Sequence, residues 1–272
     1  MNSKTVLVTG GSGTIGKAIC MKLKENNYNV YAGMRKLKHI NKIKSVYLDV
    51  DDDIIVKRAI NLIIKNEGKI DVLINCAGFA QYGALETIDM NQIKKQFETN
   101  YFGVVRCIKE VIPHFRRQRS GTIINISSSA GLRGRECCSI YASSKFAIEG
   151  LSESLNHELK QFNVKVKIVE PSATKGSFKD NMLFGNKKVQ CYDYMDEEME
   201  NYFDKNENLL EPNEVAKVVK QALEDNSDNF RYQVGSSVQL AKEKLKEPRR
   251  IMKKHNYIVK VWKFFIRKLK FK

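Results

Sequence analysis

Short runs of apolar and β-branched residues alternate along the chain with longer segments whose apolar positions recur every three to four residues. The short runs have the length and composition of buried strands, and they lie at residues 5–8, 29–32, 45–48, 72–75, 122–126, 164–169 and 230–234. The longer segments predict helices at residues 15–24, 54–65, 91–119, 139–161 and 213–224, and Pro113 should bend or end the third of them. Strands that alternate with helices predict an α/β fold in which helices cover both faces of a parallel sheet.

The domain organisation follows from what separates these elements. The chain contains no internal repeat and no linker rich in Gly, Ser or Pro, which favours a single domain over residues 1–240. Within it, residues 175–211 are polar and weakly periodic, as is typical of a lid over a binding site. Residues 241–272 form a separate C-terminal extension.

The positive charge is concentrated in this extension. The chain carries a net charge of +16, from 47 Lys and Arg against 31 Asp and Glu. Residues 241–272 hold 13 basic and two acidic side chains, a net charge of +11, so the rest of the chain carries only +5. Any account of the charge must therefore treat the extension separately from the fold.

The extension also has an amphipathic pattern. Five apolar side chains fall on one helical face: Ile258, Val261, Trp262, Phe265 and Leu269. A basic helix of about 12 residues is too short to span a bilayer, but it can lie in the interface of an anionic membrane. The alternative is a helix packed on its own domain or on a partner subunit. Nucleic-acid binding is not expected, because no recognised binding module accompanies the charge.

Other classes of protein are disfavoured by what the sequence lacks. The N-terminus does not have the pattern of a signal peptide, and no apolar run approaches the roughly 18 residues of a membrane span. We therefore expect a cytoplasmic protein, associated with a membrane periphery if the extension binds lipid. The six cysteines include no CxxC pair, which predicts reduced thiols. The four histidines lie far apart, so no metal site is expected.

A glycine-rich turn follows the first predicted strand. The segment TGGSGTIG at residues 9–16 places three spaced glycines between that strand and a helix. Glycines permit a tight turn and close backbone approach, and the free N–H groups of the helix N-terminus can hold a pyrophosphate. Such a turn alone could be an ordinary connection, but its position favours dinucleotide binding.

The end of the second strand indicates which dinucleotide. A carboxylate at this point would hydrogen-bond the ribose of NAD, but this chain has Arg35 and Lys36 and no acid there. Because a guanidinium can pair with a 2′-phosphate, we predict NADP(H) in preference to NAD(H). The alternative is a solvated basic loop.

Ser128, Tyr141 and Lys145 are the strongest candidates for catalysis. Tyr141 and Lys145 are four residues apart and share one helix face. A free tyrosine has a pKa near 10, and an adjacent ammonium favours the phenolate. A serine hydroxyl can hydrogen-bond a substrate oxygen as charge develops on it. An isolated pair of this kind would be a surface pair, but here it follows the glycine-rich turn, Asn-Cys-Ala-Gly at residues 75–78 and a serine cluster at residues 127–129.

In this order, the motifs are similar to those of the classical short-chain dehydrogenase/reductase family, over about residues 4–234. The resemblance implies a single-domain Rossmann fold with a doubly wound, seven-stranded parallel sheet. It also implies that Tyr141 is the acid/base, that Lys145 binds the nicotinamide ribose and lowers the Tyr141 pKa, that Ser128 polarises the substrate, and that Asn100 holds a water in the proton relay. The cofactor-binding residues are then Gly10, Ser12, Gly13, Thr14, Ile15, Gly16, Arg35, Lys36, Asp49, Val50, Asn75, Ala77, Gly78, Tyr141, Lys145, Pro171 and Thr174.

Two positions depart from the family pattern. The usual glycine motif of the classical type is TGxxxGxG, and Thr14 stands here in place of its central glycine. The spacing found instead is the one seen in extended members of the family. The usual Pro-Gly after the sixth strand is Pro171-Ser172. We expect backbone contacts near Thr14 and the loop on the nicotinamide side to differ accordingly.

Two longer stretches, VYAGMRK at residues 30–36 and YASSKFAIEGLSESL at residues 141–155, resemble the branch that contains hydroxysteroid, retinol and acyl-dihydroxyacetone-phosphate reductases. This implies an NADP(H)-dependent oxidoreductase for a bulky apolar carbonyl or secondary alcohol. The proposed pocket wall is Phe79, Tyr82, Leu132, Met182, Leu183 and Phe184, all of which could also be core or lid residues. Reduction of a 3-ketoacyl carrier protein and a non-catalytic NADP-binding scaffold or sensor are the alternatives. The family also implies a homodimer or homotetramer, formed through the helices at residues 91–119 and 139–161.

Overall fold

The computed structural model describes residues 3–176, 181–194 and 209–235. Nine strands lie in this part of the chain: β1 (Thr5–Thr9), β2 (Asn29–Met34), β3 (Lys44–Tyr47), β4 (Val72–Asn75), β5 (Gln81–Tyr82), β6 (Gly121–Ile126), β7 (Val164–Pro171), β8 (Leu183–Phe184) and β9 (Arg231–Val234). The longer helices are α1 (Thr14–Glu25), α2 (Asp53–Glu67), α3 (Met90–Phe97), α4 (Gly103–Gln118), α5 (Ser139–Leu159) and α6 (Pro212–Glu224).

Seven strands form one parallel sheet in the order β3-β2-β1-β4-β6-β7-β9. The order runs outwards in both directions from β1 and β4, which is the doubly wound arrangement of a Rossmann fold. The predicted fold class and strand number are confirmed. The strand and helix ends agree with the sequence pattern to within about two residues, apart from the segment 91–119.

Apolar side chains alternate between the two faces of this sheet. On one face Leu7, Leu73 and Ile123 pack against α2, α4 and α5, and on the other Val6, Val8 and Ile74 pack against α1 and α6. Both faces are therefore covered, and functional side chains are confined to the strand ends and the loops that follow them.

The segment predicted as one helix over residues 91–119 is instead three consecutive pieces. A π-helical turn, Glu98–Phe102, separates α3 from α4. Pro113 lies inside α4 and does not end it, since the helix continues to Gln118. The carbonyl four residues earlier loses its helical partner to proline, but Lys109 is exposed, so water can replace that hydrogen bond.

A second, two-stranded parallel sheet joins part of the proposed lid to the body of the domain. β5 pairs with β8, and the Leu183 N–H donates to the Ala80 carbonyl at 2.9 Å. The two ends of the lid also meet, because the Lys175 N–H donates to the Leu210 carbonyl at 2.9 Å. Residues 177–180 and 195–208 of the lid lie outside the described residues, as do the whole extension and its proposed amphipathic helix.

No helix within the three described ranges is long and apolar enough to cross a membrane. The same part of the chain contains no group of three or more His, Cys, Asp or Glu side chains that could hold a metal ion. Its cysteines form no disulfide.

Candidate active site

A cleft of about 1080 Å³ opens at the carboxyl ends of β1, β2, β4, β6 and β7. Most of the site residues predicted from the sequence line it: Gly10, Ser12, Gly13, Thr14, Ile15, Gly16, Arg35, Lys36, Asp49, Val50, Ala77, Gly78, Ser128, Tyr141, Lys145, Pro171 and Thr174. The strands point residues far apart in sequence at one edge of the sheet, which is where open α/β sheets bind ligands.

The glycine-rich turn forms one wall of the cleft because side chains would not fit there. Gly10 has φ +65°, and a Cβ on it would lie 2.8 Å from the Cα of Ala77. A Cβ on Gly16 would lie 2.2 Å from the Gly10 carbonyl oxygen. Gly13 is the N-cap of α1 and offers no side chain to the first turn, so the backbone N–H groups at this helix end face the cleft.

Thr14, the residue that departs from the family motif, is accommodated by a second glycine. Gly176 has φ +117°, and a Cβ there would lie 2.4 Å from the Thr14 Cγ2. The other departure, Ser172, has a similar neighbour, since a Cβ on Gly235 would lie 2.6 Å from the Ser172 Oγ. Each larger residue is thus matched by a glycine on the adjoining segment.

The end of the cleft near β2 is positively charged. Arg35 and Lys36 follow β2 directly, are exposed and line the cleft. Asp51 lies across from them; burial raises the pKa of its carboxyl, while the Thr99 hydroxyl, which donates to it at 2.9 Å, and the Arg35 charge lower it. Neither Asp51 nor Thr99 carries a motif by which the sequence could have identified it.

Tyr141 lies in the first turn of α5 and is only 7% exposed. Burial raises the pKa of its hydroxyl to about 12, and the hydrogen bond with Ser128 lowers it. The Lys145 ammonium, 5.8 Å from the ring centroid, does not offset the burial. Tyr141 is therefore a neutral phenol at pH 7, a form that can donate a proton. The lowering of the Tyr141 pKa by Lys145, which the resemblance implies, is therefore not seen in this structure.

The side chains of Ser128 and Lys145 are each held by a hydrogen bond with the backbone at the end of β6 or in the loop that follows it. The Ser128 Oγ accepts a hydrogen bond from the Ala130 N–H at 3.1 Å. The Lys145 Nζ donates to the Ile126 carbonyl at 2.9 Å, and burial lowers the pKa of this amine to about 8. Both side chains therefore depend on the loop that leaves β6.

Asn100 lies in the π-helical turn and is 1% exposed, and it does not line the cleft. Its Oδ1 accepts from the Phe79 N–H at 3.1 Å, and its Nδ2 donates to the Phe79 carbonyl at 2.9 Å and to the Ser144 Oγ at 3.3 Å. The amide thereby ties the loop after β4 to α5. π-helical turns often mark functional sites, and here the turn brings Asn100 inward.

Gln96, one turn before Asn100, was not identified from the sequence. It is fully buried, accepts from the Gln81 N–H at 2.6 Å and donates to the Phe79 carbonyl at 3.0 Å. A single buried glutamine in an amphipathic helix carries no signal of its own. Its structural role is recognised only from its hydrogen bonds with Gln81 and Phe79, which lie after β4 in the sequence.

Asn75 is the one predicted cofactor residue that the structure places away from the cleft. It is 3% exposed, and its Nδ2 donates to the Asn125 Oδ1 at 2.8 Å within the sheet. Asn125 in turn donates to the Ser152 Oγ at 2.8 Å. The side chain at the last position of β4 thus joins β6 and α5, whereas Ala77 and Gly78, which follow it, line the cleft.

The proposed apolar wall is correct in part. Phe79, Tyr82 and Leu183 line the cleft, whereas Leu132, Met182 and Phe184 do not. Met182 is 7% exposed and packs in a small core with Tyr82 and Tyr141. The loop before α5 supplies lining residues that the sequence reading missed: Arg135, Glu136, Cys137 and Cys138.

The residues present fit a dinucleotide. A side chain on Gly10 or Gly16 would fill the wall that a pyrophosphate must approach, and both positions are glycine. Arg35 and Lys36 line the cleft at the end of β2, and Ser128, Tyr141 and Lys145 line it at the loop after β6 and on α5. This arrangement matches a ligand with a phosphate at one end and a reactive ring at the other.

Comparison with known proteins agrees with this geometry. A sequence profile described as short chain dehydrogenase matches residues 4–184. The chain is 36% identical over 244 residues to 3-ketodihydrosphingosine reductase of Bacteroides thetaiotaomicron, covering 88% of this chain and 91% of that protein. It is 36% identical over 195 residues to human retinol dehydrogenase 8, covering 66% of this chain and 62% of that protein.

Two solved structures at 26% identity share the fold. A short-chain dehydrogenase from Streptomyces avermitilis superposes with a TM-score of 0.85, covering 96% of this chain and 98% of that one. A variant of ElxO with NADPH bound gives a TM-score of 0.70, covering 87% and 97%. The profile match over two thirds of the sequence and the extensive similarity to named reductases lead to one conclusion: the chain belongs to the short-chain dehydrogenase/reductase family and is an oxidoreductase.

Proposed function

We propose that the protein is an NADPH-dependent reductase of a carbonyl on a long-chain, lipid-like substrate. The observation that carries this proposal is the group Ser128, Tyr141 and Lys145 at one end of a cleft whose wall includes Phe79, Tyr82 and Leu183. A protonated Tyr141 can supply the proton that a carbonyl oxygen must receive when it becomes an alcohol.

Each residue then has a distinct role in the reaction. Bound NADPH supplies the hydride. Ser128 donates a hydrogen bond to the carbonyl oxygen of the substrate, and Tyr141 gives its phenolic proton to the same oxygen. Lys145 holds the nicotinamide ribose and stabilises the tyrosinate left after proton transfer, an interaction that is stronger once the phenol has lost its proton. Asn100 keeps the loop at Phe79 and helix α5 in register.

Arg35 and Lys36 are proposed to select NADP(H) over NAD(H). Both face the cleft at the end of β2, and a guanidinium binds a phosphate through charge-assisted hydrogen bonds. A structural relative, the ElxO variant, has NADPH bound, which supports the proposal that this protein also uses the phosphorylated nucleotide. The glycines of the first turn and the segment at Pro171 and Thr174 are proposed to hold the rest of the cofactor.

The substrate class rests on the relatives together with the cleft wall. The Bacteroides relative is named for the 3-keto form of a sphingoid base, and the human relative for retinol, both of which are apolar chains with one reacting oxygen. The apolar lining near Tyr141 fits such a chain. A 3-ketoacyl carrier protein reductase is similar to this chain only at the level of the fold, at 17% identity.

The test is turnover of NADPH with a panel of carbonyl compounds: 3-ketodihydrosphingosine, all-trans-retinal, a ketosteroid and a 3-ketoacyl thioester. We expect the first to be reduced with the highest kcat/KM. Preference for the acyl thioester would replace the proposed substrate class by its alternative. Absence of turnover with every compound, together with tight NADPH binding, would instead support a scaffold or sensor.

The C-terminal extension is proposed to bring the enzyme to an anionic membrane, where a lipid-like substrate would be found. Liposome flotation of the full chain and of a chain lacking residues 250–272 tests this. We expect the full chain to float with anionic vesicles and the shortened chain to remain below. Equal behaviour of the two would reject membrane binding through the extension.

A homodimer or homotetramer is proposed to form through α4 and α5 with the neighbouring π-helical turn. Two large aromatic side chains, Phe102 and Phe146, are each 47% exposed on these elements and are available for a contact with a partner subunit. Sedimentation of the parent protein and of a Phe102→Glu, Phe146→Glu variant tests this, and a monomer in the variant alone is the expected result.

A further inference from the structure

A cluster of charged side chains is buried next to the catalytic loop and takes no part in the reaction as described. Glu149 on α5 is 6% exposed, and Glu170 on β7 is fully buried. The Arg231 guanidinium on β9 contacts both, binding the Glu149 Oε2 and, at 2.6 Å, the Glu170 Oε1. Three elements that surround the Ser128 loop thus meet in one ionic group.

The charges within this group do not balance. Two buried carboxylates share one guanidinium, and Arg231 is also 3.7 Å from the half-exposed Glu153. The Glu149 Oε1 and the Glu170 Oε2 have no hydrogen-bond partner among the described residues. Burying a carboxylate without full compensation is unfavourable, so a further positive charge or a proton is needed nearby.

Lys145 supplies a positive charge at the right place. It precedes Glu149 by one helical turn on the same face of α5. Its ammonium contacts the Ile126 carbonyl and the Tyr141 ring, and the Cys76 thiol and the Glu149 carboxyl act on its charge through space. Burial raises the pKa of both Cys76 and Tyr141 to about 12, so both are neutral at pH 7. The Glu149 carboxyl is thus the member of this set that can ionise near neutral pH.

The loop after β6 is shaped to admit Glu149. A Cβ on Gly131 would lie 3.1 Å from the Glu149 Oε1 and 2.6 Å from the Ser127 Oγ. The glycine therefore lets the carboxyl and the Ser127 hydroxyl approach the loop that carries Ser128. Because Lys145 holds the carbonyl of Ile126 in the same loop, the two charged residues contact neighbouring positions of one turn.

We propose that Glu149 is the counter-ion that keeps Lys145 charged in its buried position, and that Arg231, which is itself anchored by Glu170, holds Glu149 there. Glu149 is a positioning residue, because it acts on the reaction through Lys145 and touches neither substrate nor cofactor. The inference rests on the proposed function only in assigning the Lys145 ammonium a role in turnover. In agreement with an incompletely balanced charge, burial and the neighbouring Glu170 raise the pKa of Glu149 to about 7, against the lowering effects of the Ser127 hydroxyl and of Arg231.

The direct test measures the titration of Lys145 without cofactor or substrate. Protein labelled with ¹³C at lysine Cε is titrated by NMR, and the Lys145 signal is assigned from its loss in Lys145→Arg. We expect Glu149→Gln to lower the pKa of Lys145 by about one unit, the shift typical of a nearby opposite charge. Glu153→Gln is the matched control, since it removes an exposed carboxylate that also reaches Arg231, and it should leave the pKa of Lys145 unchanged.

The pH dependence of kcat gives a second readout. Loss of the ammonium ends turnover at high pH, so the alkaline limb in Glu149→Gln should move to lower pH by the same amount, and in Glu153→Gln it should not move. An unmoved Lys145 titration in Glu149→Gln would overturn the proposal. Failure of the proposed function would be seen separately, as undiminished turnover of Tyr141→Phe.

A third variant keeps the test possible if Glu149→Gln does not fold. Glu149→Met replaces the carboxylate by an apolar side chain of similar length, a change that buried ionic groups often tolerate, and should lower the pKa of Lys145 equally. If Glu149 keeps Lys145 charged, the Lys145 amine of the parent protein must be protonated at pH 7. A neutral amine at that pH would overturn the proposal without any variant.

Discussion

Two buried tyrosine–lysine pairs lie in the part of the chain that the structure describes, and one of these two lines the cleft. Lys145 lies 5.8 Å from the ring centroid of Tyr141, and Lys167 lies 5.1 Å from that of Tyr232. Both lysines are buried, at 8% and 2% exposure. Tyr232 and Lys167 belong to β9 and β7, and neither side chain lines the cleft. The proximity of a tyrosine and a lysine is therefore not sufficient for a catalytic site.

The two pairs differ in how their polar groups are occupied. The Tyr232 hydroxyl donates to the Asp225 Oδ2 at 2.6 Å and accepts from the Lys167 Nζ at 2.9 Å, while Lys167 also donates to the Asp225 carbonyl at 2.6 Å. This closed network ties β7 and β9 to the end of α6. The Tyr141 hydroxyl faces the cleft beside Ser128, and its lysine holds a neutral carbonyl. The closed pair supports the fold, and the open pair can act on a ligand.

Removal of the two hydroxyls should separate the pairs most strongly. Tyr141→Phe deletes the proton donor and should lower kcat by about 10²–10⁴-fold, the usual contribution of a general acid. Tyr232→Phe should leave kcat within about twofold, because its hydroxyl does not reach the cleft. Steady-state kinetics with NADPH and the best substrate of the panel measure both. Equal losses in the two variants would contradict the distinction.

Replacement of the lysines should have opposite effects on activity and stability. Lys145→Met should lower kcat about 100-fold and change the melting temperature little, because removal of the costly buried ammonium offsets the loss of its charge beside Glu149, which can take up a proton instead. Lys167→Met should leave kcat unchanged and destabilise the fold by about 1–3 kcal/mol, since Asp225 and Tyr232 lose their shared donor. Thermal unfolding and kinetics on both variants decide. A stability loss in Lys145→Met alone would reverse the assignment.

A similar contrast holds between two arginines, one that lines the cleft and one that is held in ion pairs. Arg35 faces the cleft, whereas the Arg106 guanidinium binds Asp53 at 2.8 Å and also Glu98. Arg35→Ala should weaken NADPH binding about tenfold and leave NADH binding unchanged, as expected for one charge-assisted hydrogen bond to a phosphate. Arg106→Ala should change neither affinity. Fluorescence titration with the two nucleotides measures all four values, and equal weakening for NADH would remove Arg35 from the 2′-phosphate.

The sequence could predict the open pair and not the closed one. Tyr141 and Lys145 share a helix, so their spacing alone brings them together, and the glycines of the first turn follow a strand in the same way. Lys167 and Tyr232 are 65 residues apart and meet only through the pairing of β7 with β9. Glu149 and Gln96 were missed for the same reason, because their partners come from other elements. Local spacing therefore predicted the catalytic pair and the glycine-rich turn, the family resemblance supplied lining residues such as Asp49 and Pro171, and the supporting contacts required the three-dimensional fold.

The smallest expected effect is the dependence of stability on pH in the closed network. Hydrogen bonds from Tyr232 and from Ser227 lower the pKa of Asp225 below its usual value. A carboxyl with a lowered pKa stabilises the fold above the pKa of the unfolded chain, about 3.9, and this contribution is lost as the pH falls through the lower pKa of the folded state. Asp225→Asn should therefore melt a few degrees below the parent at pH 7. The difference should shrink as the pH falls below about 4, where the parent carboxyl becomes protonated in the unfolded and then in the folded protein.

Glu153→Gln, at an exposed carboxylate, is the control and should show no such convergence. A constant difference in melting temperature across this range would mean that the Asp225 side chain acts by its shape and not by its charge, and the closed network would then owe nothing to the ionised carboxyl.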